Sequence, residues 1–462
     1  MVSLSVGLIL NLAAAFAPGG SHAASPTHTC DTPDTGFECN KSISHSWGMY
    51  SPFFSVPSEI PPGTPQGCQV TFAQVLARHG ARDPTAGKTK MYSDMIEQIH
   101  AAVSDYGPAF RFIKDYEYTL GADQLTLFGQ QQLVNAGIRF YDRYQHLAKD
   151  TTPFIRASGQ DRVVESAQNW TQGLHRARVD DQHASPDSFP YSMVVLPEHT
   201  PFNNSLSHGH CPAFESTKDG EEAQATFLEQ FGPDILVRLN EGLPGANLTL
   251  QQVIYMMDLC PFNTVADDNG KLSNFCTLFT EDDWRDYDYH ASLGKWYGYG
   301  NGNPLGSSQG VGFVNELIAR LTSTPVHDHT TTNSTFDEDP KNFPLGAVLY
   351  ADFSHDNDIT GVYAALGLYN ATRPLAKSHR ESASSANGYS ASWTVPFAAR
   401  MYVEKMTCAG SSEDLVRVLV NDRVIPLQNC EADSEGRCEL GRFVDSLSFA
   451  REGGLWDRCF VE

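Results

Sequence analysis

The sequence predicts an α/β protein: an open, mostly parallel sheet flanked by helices, with a smaller α-helical domain inserted into it. Three junctions carry that prediction. Residues 69–76 form a strand-like run, and Met91, Met95, Ile99 and Val103 follow at helical spacing. Residues 154–158 form a second run, followed by Val163, Ala167, Trp170 and Leu174. Residues 347–353 form a third, followed by the apolar segment 359–368. Strands alternating with helices are the pattern of a parallel sheet with helical crossovers. Residues 200–335 carry helical and loop signals and few strand signals, which marks the insertion. The expected divisions are residues 1–23 as a signal peptide, 24–155 and 336–462 as the α/β domain with an irregular N-terminal arm, and 156–335 as the mainly α-helical domain.

In chain order, the leader is an apolar stretch closed by Ser21-His22-Ala23-Ala24, a small-x-small site that puts cleavage after Ala23. The basic start usual for such leaders is missing, since the first Lys is Lys41. The arm is rich in Pro, Ser and Gly, yet residues 45–54 are too aromatic for a free tail and should pack over the main body. Thr126 is placed to cap a helix whose stripe is Leu133, Gly137, Phe140, Tyr144 and Leu147. Residues 325–345 read as a loop, and their His327 and His329 as exposed side chains rather than metal ligands. Residues 400–406 and 415–420 read as strands, with a hairpin turn at 420–423 and a closing helix near 442–449.

A chain of 462 residues with 41% hydrophobic content can bury a substantial core. Its net charge of −23 argues against nucleic acid and anionic membrane surfaces as partners. No apolar run beyond the leader is long enough to span a membrane. The ten cysteines include no CxxC pair and no Cys/His cluster, so disulfides in an oxidising compartment are expected rather than zinc. Spacing proposes short loops Cys30–Cys39, Cys260–Cys276 and Cys430–Cys438. Asn-x-Ser/Thr triplets at Asn40, Asn169, Asn203, Asn247, Asn333 and Asn370 point to a glycoprotein.

The chemistry concentrates at Arg78-His79-Gly80-Ala81-Arg82-Asp83-Pro84-Thr85, between the first strand and its helix. Open α/β sheets bind ligands there. Arginine offers phosphate a planar fork of donors and stays charged. Two such cations hold a neighbouring imidazole neutral, which leaves it nucleophilic. Gly80 is expected to let the backbone approach the ligand. The alternative is a loop histidine between solvated arginines. The pattern Arg-His-Gly-x-Arg-x-Pro fixes five positions, so its chance occurrence is on the order of one in several thousand, and the phosphate reading wins.

These residues resemble the signature of the histidine acid phosphatases, and Asp352-Phe353-Ser354-His355-Asp356-Asn357 resembles that family's second signature. Residues 393–398 and 416–424 resemble its fungal phytase branch, and the likeness runs from about Cys30 to the C-terminus. The resemblance implies attack by His79 on a phosphomonoester, with Arg78, Arg82, Arg156 and His355 bearing the phosphoryl charge. It implies Asp356 as general acid, then base; a helix cap is the alternative for that carboxylate. It implies Thr85 and Tyr50 near the substrate, with a core role the alternative for Tyr50, and Lys88 and Lys295 facing the further phosphates of phytate. It pairs Cys68 with Cys408 and Cys211 with Cys459. It calls for no metal or other cofactor, and for a secreted, acid-active monomer whose partner is a small phosphomonoester. A broad acid phosphatase and a non-catalytic phosphate-binding glycoprotein are the competing readings.

Overall fold

The structure, a computed structural model, describes residues 40–268 and 270–460. The expected leader and the Cys30–Cys39 pair lie outside them. The strands are β1 (Cys68–Arg78), β2 (Phe154–Ser158), β3 (Met193–Leu196), β4 (Leu349–Ser354), β5 (Arg400–Cys408), β6 (Leu415–Val420), β7 (Arg423–Ile425) and β8 (Cys438–Glu439). They form one sheet in the order β3-β2-β4-β1-β5-β6-β7, with β8 paired to β6. The half that holds β3, β2, β4 and β1 is parallel, as the strand–helix alternation predicts. The other half is antiparallel. The hairpin expected at 420–423 is there. Asn421 and Asp422 adopt φ of 48° and 67°, the left-handed pair that a tight hairpin demands.

The main helices are α1 (Ala86–Ala102), α2 (Leu127–Arg143), α3 (Asp161–Asp180), α4 (Asp219–Gly242), α5 (Leu250–Ala266), α6 (Glu281–Gly298), α7 (Val311–Thr322) and α8 (Asp356–Ala365). Helix α2 starts where expected, with Thr126 Oγ1 accepting from the Gly129 N–H. Its Leu133 and Phe140 join Trp170 and Leu174 of α3 over one face of the sheet. Helix α3 thus packs on the α/β body, although it falls inside residues 156–335. Residues from α4, α6, α7 and α8 cover the opposite face. A further core joins α1 to α4 and α5, through Tyr92, Met95, Ile96 and Ile99. Met91, expected on the buried face of α1, is 47% exposed. The true stripe starts one residue later, because Tyr92 reaches Asp258 of α5.

The aromatic arm does pack down: Trp47 is fully buried, and Tyr50 lies against Phe262 and Phe397. Disulfides join Cys68 to Cys408, Cys211 to Cys459, Cys260 to Cys276 and Cys430 to Cys438. The first two tie distant parts of the chain together, where loop closure removes most entropy from the unfolded state.

Candidate active site

The site forms where β1 and β4 end side by side. Arg78 is the last residue of β1 and pairs with Ser354, the last of β4. The His79 N–H donates to Ser354 O at 3.2 Å, and His79 O accepts from the Ala398 N–H. The segment after the strand is clamped to α2. A Cβ on Gly80 would lie 2.3 Å from Gly129 O, so no larger residue fits. Glycine is required here for contact with the helix rather than with a ligand, a correction to the sequence expectation.

His79 is almost fully buried. Its Nδ1 lies 2.8 Å from Gly80 O. A carbonyl only accepts, so Nδ1 carries the proton and Nε2 keeps its lone pair. Burial, then Arg78, Arg82, His355 and Arg162, hold its pKa well below the usual imidazole value. The ring is therefore neutral and nucleophilic.

Arg78 is fixed from several sides. Nη1 donates to Met49 O and, at 2.7 Å, to Val395 O. Nη2 lies 3.3 Å from Asp356 Oδ2, and the guanidinium stacks 4.7 Å from the Phe397 ring centre. Burial draws its pKa down to about 10, which leaves it charged in acid and at neutrality. Arg82 donates to Asp83 O and keeps a buried Nε without an acceptor.

His355 and Asp356 stand at the start of α8. His355 occupies the capping position, but its side chain makes no cap bond. It meets Glu198 instead, Nε2 to Oε1 at 3.0 Å. That carboxylate also accepts from Ser158 Oγ and the Gln160 N–H. Burial alone would raise the Glu198 pKa, but the bonds from His355, Ser158 and Gln160 bring it to about 2. Asp356 does not cap the helix either. Its Oδ2 meets Lys295 Nζ at 2.6 Å besides Arg78. Burial opposes ionisation, yet Arg78 and Lys295 outweigh it and hold the Asp356 pKa well below the ordinary carboxylate range.

Arg156 is the correction among the expected phosphate ligands. It sits inside β2, buried, with Nε 2.9 Å from Asp352 and both terminal nitrogens on Glu316. Its charge is spent within the protein. The arginine whose field reaches the site is Arg162, in the first turn of α3. It contributes to the shifts of both His79 and Arg78, and is itself perturbed by Arg82, Asp356 and Glu198. The sequence reading missed Arg162 and Glu198. The signal for Arg162 was present: a helix start after β2 is the ligand position, and Arg162 rather than Arg156 lies there. Nothing local singles out Glu198, which reaches His355 across 157 residues of sequence.

A cleft of about 450 Å³ opens over Arg82 and Asp356. Tyr50 and Thr85 line it, so Tyr50 is at once a core residue and a wall of the cleft. Lys88 lines it too, 4.9 Å from the Tyr255 ring centre and 4.0 Å from Asp258. Lys295 reaches it, though its ammonium is already bound by Asp356 and Asn357. Among the described residues no group of three or more His, Cys, Asp or Glu could hold a metal ion.

Comparison with known proteins places the whole chain. The chain is 50% identical over 463 residues to Phytase A of Aspergillus fumigatus, covering 98% of this chain and all of that protein. It is 50% identical over 466 residues to Phytase A of Aspergillus oryzae, covering the whole of both. Among solved structures, the phytase from D. castellii superposes with a TM-score of 0.72 at 22% identity, covering 91% of this chain and 88% of that one. That likeness shows a shared fold. Residues 69–421 match the Histidine phosphatase superfamily (branch 2), and the chain belongs to that family.

Proposed function

We propose that this protein hydrolyses phosphomonoesters, phytate among them, through a phosphohistidine formed on His79. The observation that carries the reading is the His79 ring, neutral, with Nδ1 tied to Gly80 O and Nε2 free beside buried cations. Relatives named phytase, half identical over the full length, support phytate as substrate. Nε2 attacks phosphorus and the ester P–O bond breaks. Arg78, Arg82, Arg162 and His355 bear the charge on the phosphoryl oxygens. Asp356 gives the leaving oxygen its proton, then takes one from the water that cleaves the P–N bond and frees inorganic phosphate.

The proton on Asp356 needs a source, because the free carboxyl is ionised. A phosphoryl group entering beside Arg78 and Lys295 shares the cations that hold that pKa down, so proton affinity rises on binding. Below about pH 6 a phosphomonoester carries a proton of its own to deliver. Acid activity thus follows from the bound state.

A second reading, broad acid phosphatase action, is favoured by the cleft wall. Lys295 is committed to Asp356, and Glu215 and Glu221 add negative charge to the lining. We infer a phytase that tolerates other phosphomonoesters. The leader, the disulfides and the acceptor triplets support secretion, and no helix of the described residues is long and apolar enough to cross a membrane. Two measurements test the reading: phosphate release from phytate and from an aryl phosphate across pH, and trapping of labelled phosphate. Label that persists in His79→Ala would exclude His79 as the nucleophile.

A further inference from the structure

A second cleft, about 390 Å³, lies away from the catalytic residues and has no part in the chemistry above. Four stretches of chain build it: the arm at Pro57–Glu59, the turn after α8 around Asn370, the segment from Ser384 to Trp393, and β7 with the residues that follow it. The lining offers Trp393 as an aromatic surface, Asn387 and Gln428 as amides, Glu59 as a carboxylate and Arg423 as a guanidinium. It contains no histidine or cysteine. An aromatic platform ringed by hydrogen-bonding groups suits a sugar, which presents C–H faces and a rim of hydroxyls.

Asn370, of the triplet Asn370-Ala371-Thr372, stands in the wall of this cleft and is exposed. Four other triplets among the described residues are placed differently. Asn169 is buried and donates to Glu165 O. Asn203 donates to Thr332 O, and Asn333 borders a void of only about 10 Å³. Asn247, at φ 50°, lies in the loop between α4 and α5 and lines none of the large clefts. Arg423, 5.4 Å from the Trp393 ring centre, sets a guanidinium in the lining beside the aromatic surface.

We propose that this cleft seats the first sugars of an N-linked oligosaccharide attached to Asn370. The tether makes binding intramolecular. The local sugar concentration reaches the millimolar range or above, and a weak carbohydrate site is filled. Once seated, the sugars join the arm, the α8 turn, Trp393 and β7 into one unit. The inference rests on the reading of the chain as secreted.

The test uses the full-length protein secreted from a eukaryotic host. Glycopeptide mass spectrometry should find Asn370 occupied. Under native conditions an endoglycosidase should release the Asn370 glycan about tenfold more slowly than that at Asn247, equivalent to ~1.4 kcal/mol of protection. Trp393→Ala should abolish the difference, and Asn370→Gln should lower the melting temperature where Asn247→Gln does not. If other triplets are occupied and Asn370 is not, the inference fails while secretion stands. If none is occupied, the inference fails together with the reading of the chain as a glycoprotein. Equal release rates overturn it as well. So does binding of free N-acetylglucosamine oligomers to protein whose Asn370 is found bare, which would make the cleft a site for outside saccharides.

Discussion

Exchanging the roles of Arg156 and Arg162 is the sharpest check on the site. Arg156→Ala removes the ion-pair partner of buried Glu316 and one of the two arginines on buried Asp352. Stranding buried charge costs about 3–5 kcal/mol. For a chain of 462 residues the unfolding entropy is about 1 kcal/mol/K, so the melting temperature should fall by roughly 3–5 °C. Protein that still folds should keep most of its kcat/KM at low temperature. Arg162→Ala removes a side chain whose one ion pair is with the half-exposed Asp123, at 3.3 Å. Its melting temperature should change by about 1 kcal/mol equivalent or less. It should lose ~2.7–4 kcal/mol of transition-state stabilisation, a factor of about 10²–10³ in kcat, by analogy with loss of one oxyanion donor. Steady-state kinetics on an aryl phosphate, paired with calorimetry, reads both quantities. If Arg156→Ala is stable but inactive and Arg162→Ala is fully active, the placement of charge argued above is wrong.

Asp356→Asn should lose far more activity on alkyl phosphates than on an aryl phosphate, whose leaving group needs little protonation; equal losses would make Asp356 structural. Thermal stability should peak between about pH 4 and 6. The Glu198 pKa is depressed to about 2, so its contribution is present above pH 4.5 and lost as pH falls toward 2. His208 is lifted to about 9, mainly by Asp358 and Glu215 against burial, so its contribution is complete below 6.5 and lost as pH rises through 9. Buried Asp288, lifted to about 6, destabilises the fold progressively as pH rises from 3.8 to 6. A melting temperature that climbs steadily from pH 6 to 9 would contradict the His208 contribution, and one that climbs as pH falls from 4.5 to 2 would contradict that of Glu198. Gly294→Lys should favour phytate over an aryl phosphate, and salt should erase the gain. A Cβ there meets the Gln224 amide at 2.6 Å, so that flexible end must swing away; an unchanged substrate ratio would refute the cleft reading.

What was legible in the sequence was whatever local pattern encodes. The strand at 154–158, the cap at Thr126 and the hairpin at 420–423 each follow from neighbouring residues, and each is found. His79, Arg78, His355 and Asp356 were legible because two signatures end two adjacent parallel strands. Local pattern fails where a partner comes from far along the chain. Lys295 was read as a free cation for substrate, yet α6 delivers it to Asp356, 61 residues away. Gly80 was read as room for a ligand, but the space belongs to Gly129.

The misplacement of Arg156 has the same origin and shows how the sheet divides its charges. Below the strand ends, Arg156 and Arg320 meet Asp352 and Glu316, two cations against two carboxylates. In that layer Asp352 and Glu316 each have an arginine partner inside the protein. At the strand ends, Arg78, Arg82, Arg162 and Lys295 face Asp356, Glu198 and Asp123, and the neighbouring His355 donates toward Glu198. Arg78, Arg82 and Arg162 act on one another there, and clustered buried positive charge is costly until an anion enters. Among them the Arg82 Nε and the Arg78 Nη2 have no hydrogen-bond acceptor. A chain of strongly negative net charge thus offers a negative substrate the arginines gathered at the strand ends, Arg78, Arg82 and Arg162, while Arg156 and Arg320, deeper in the sheet, stay with Asp352 and Glu316.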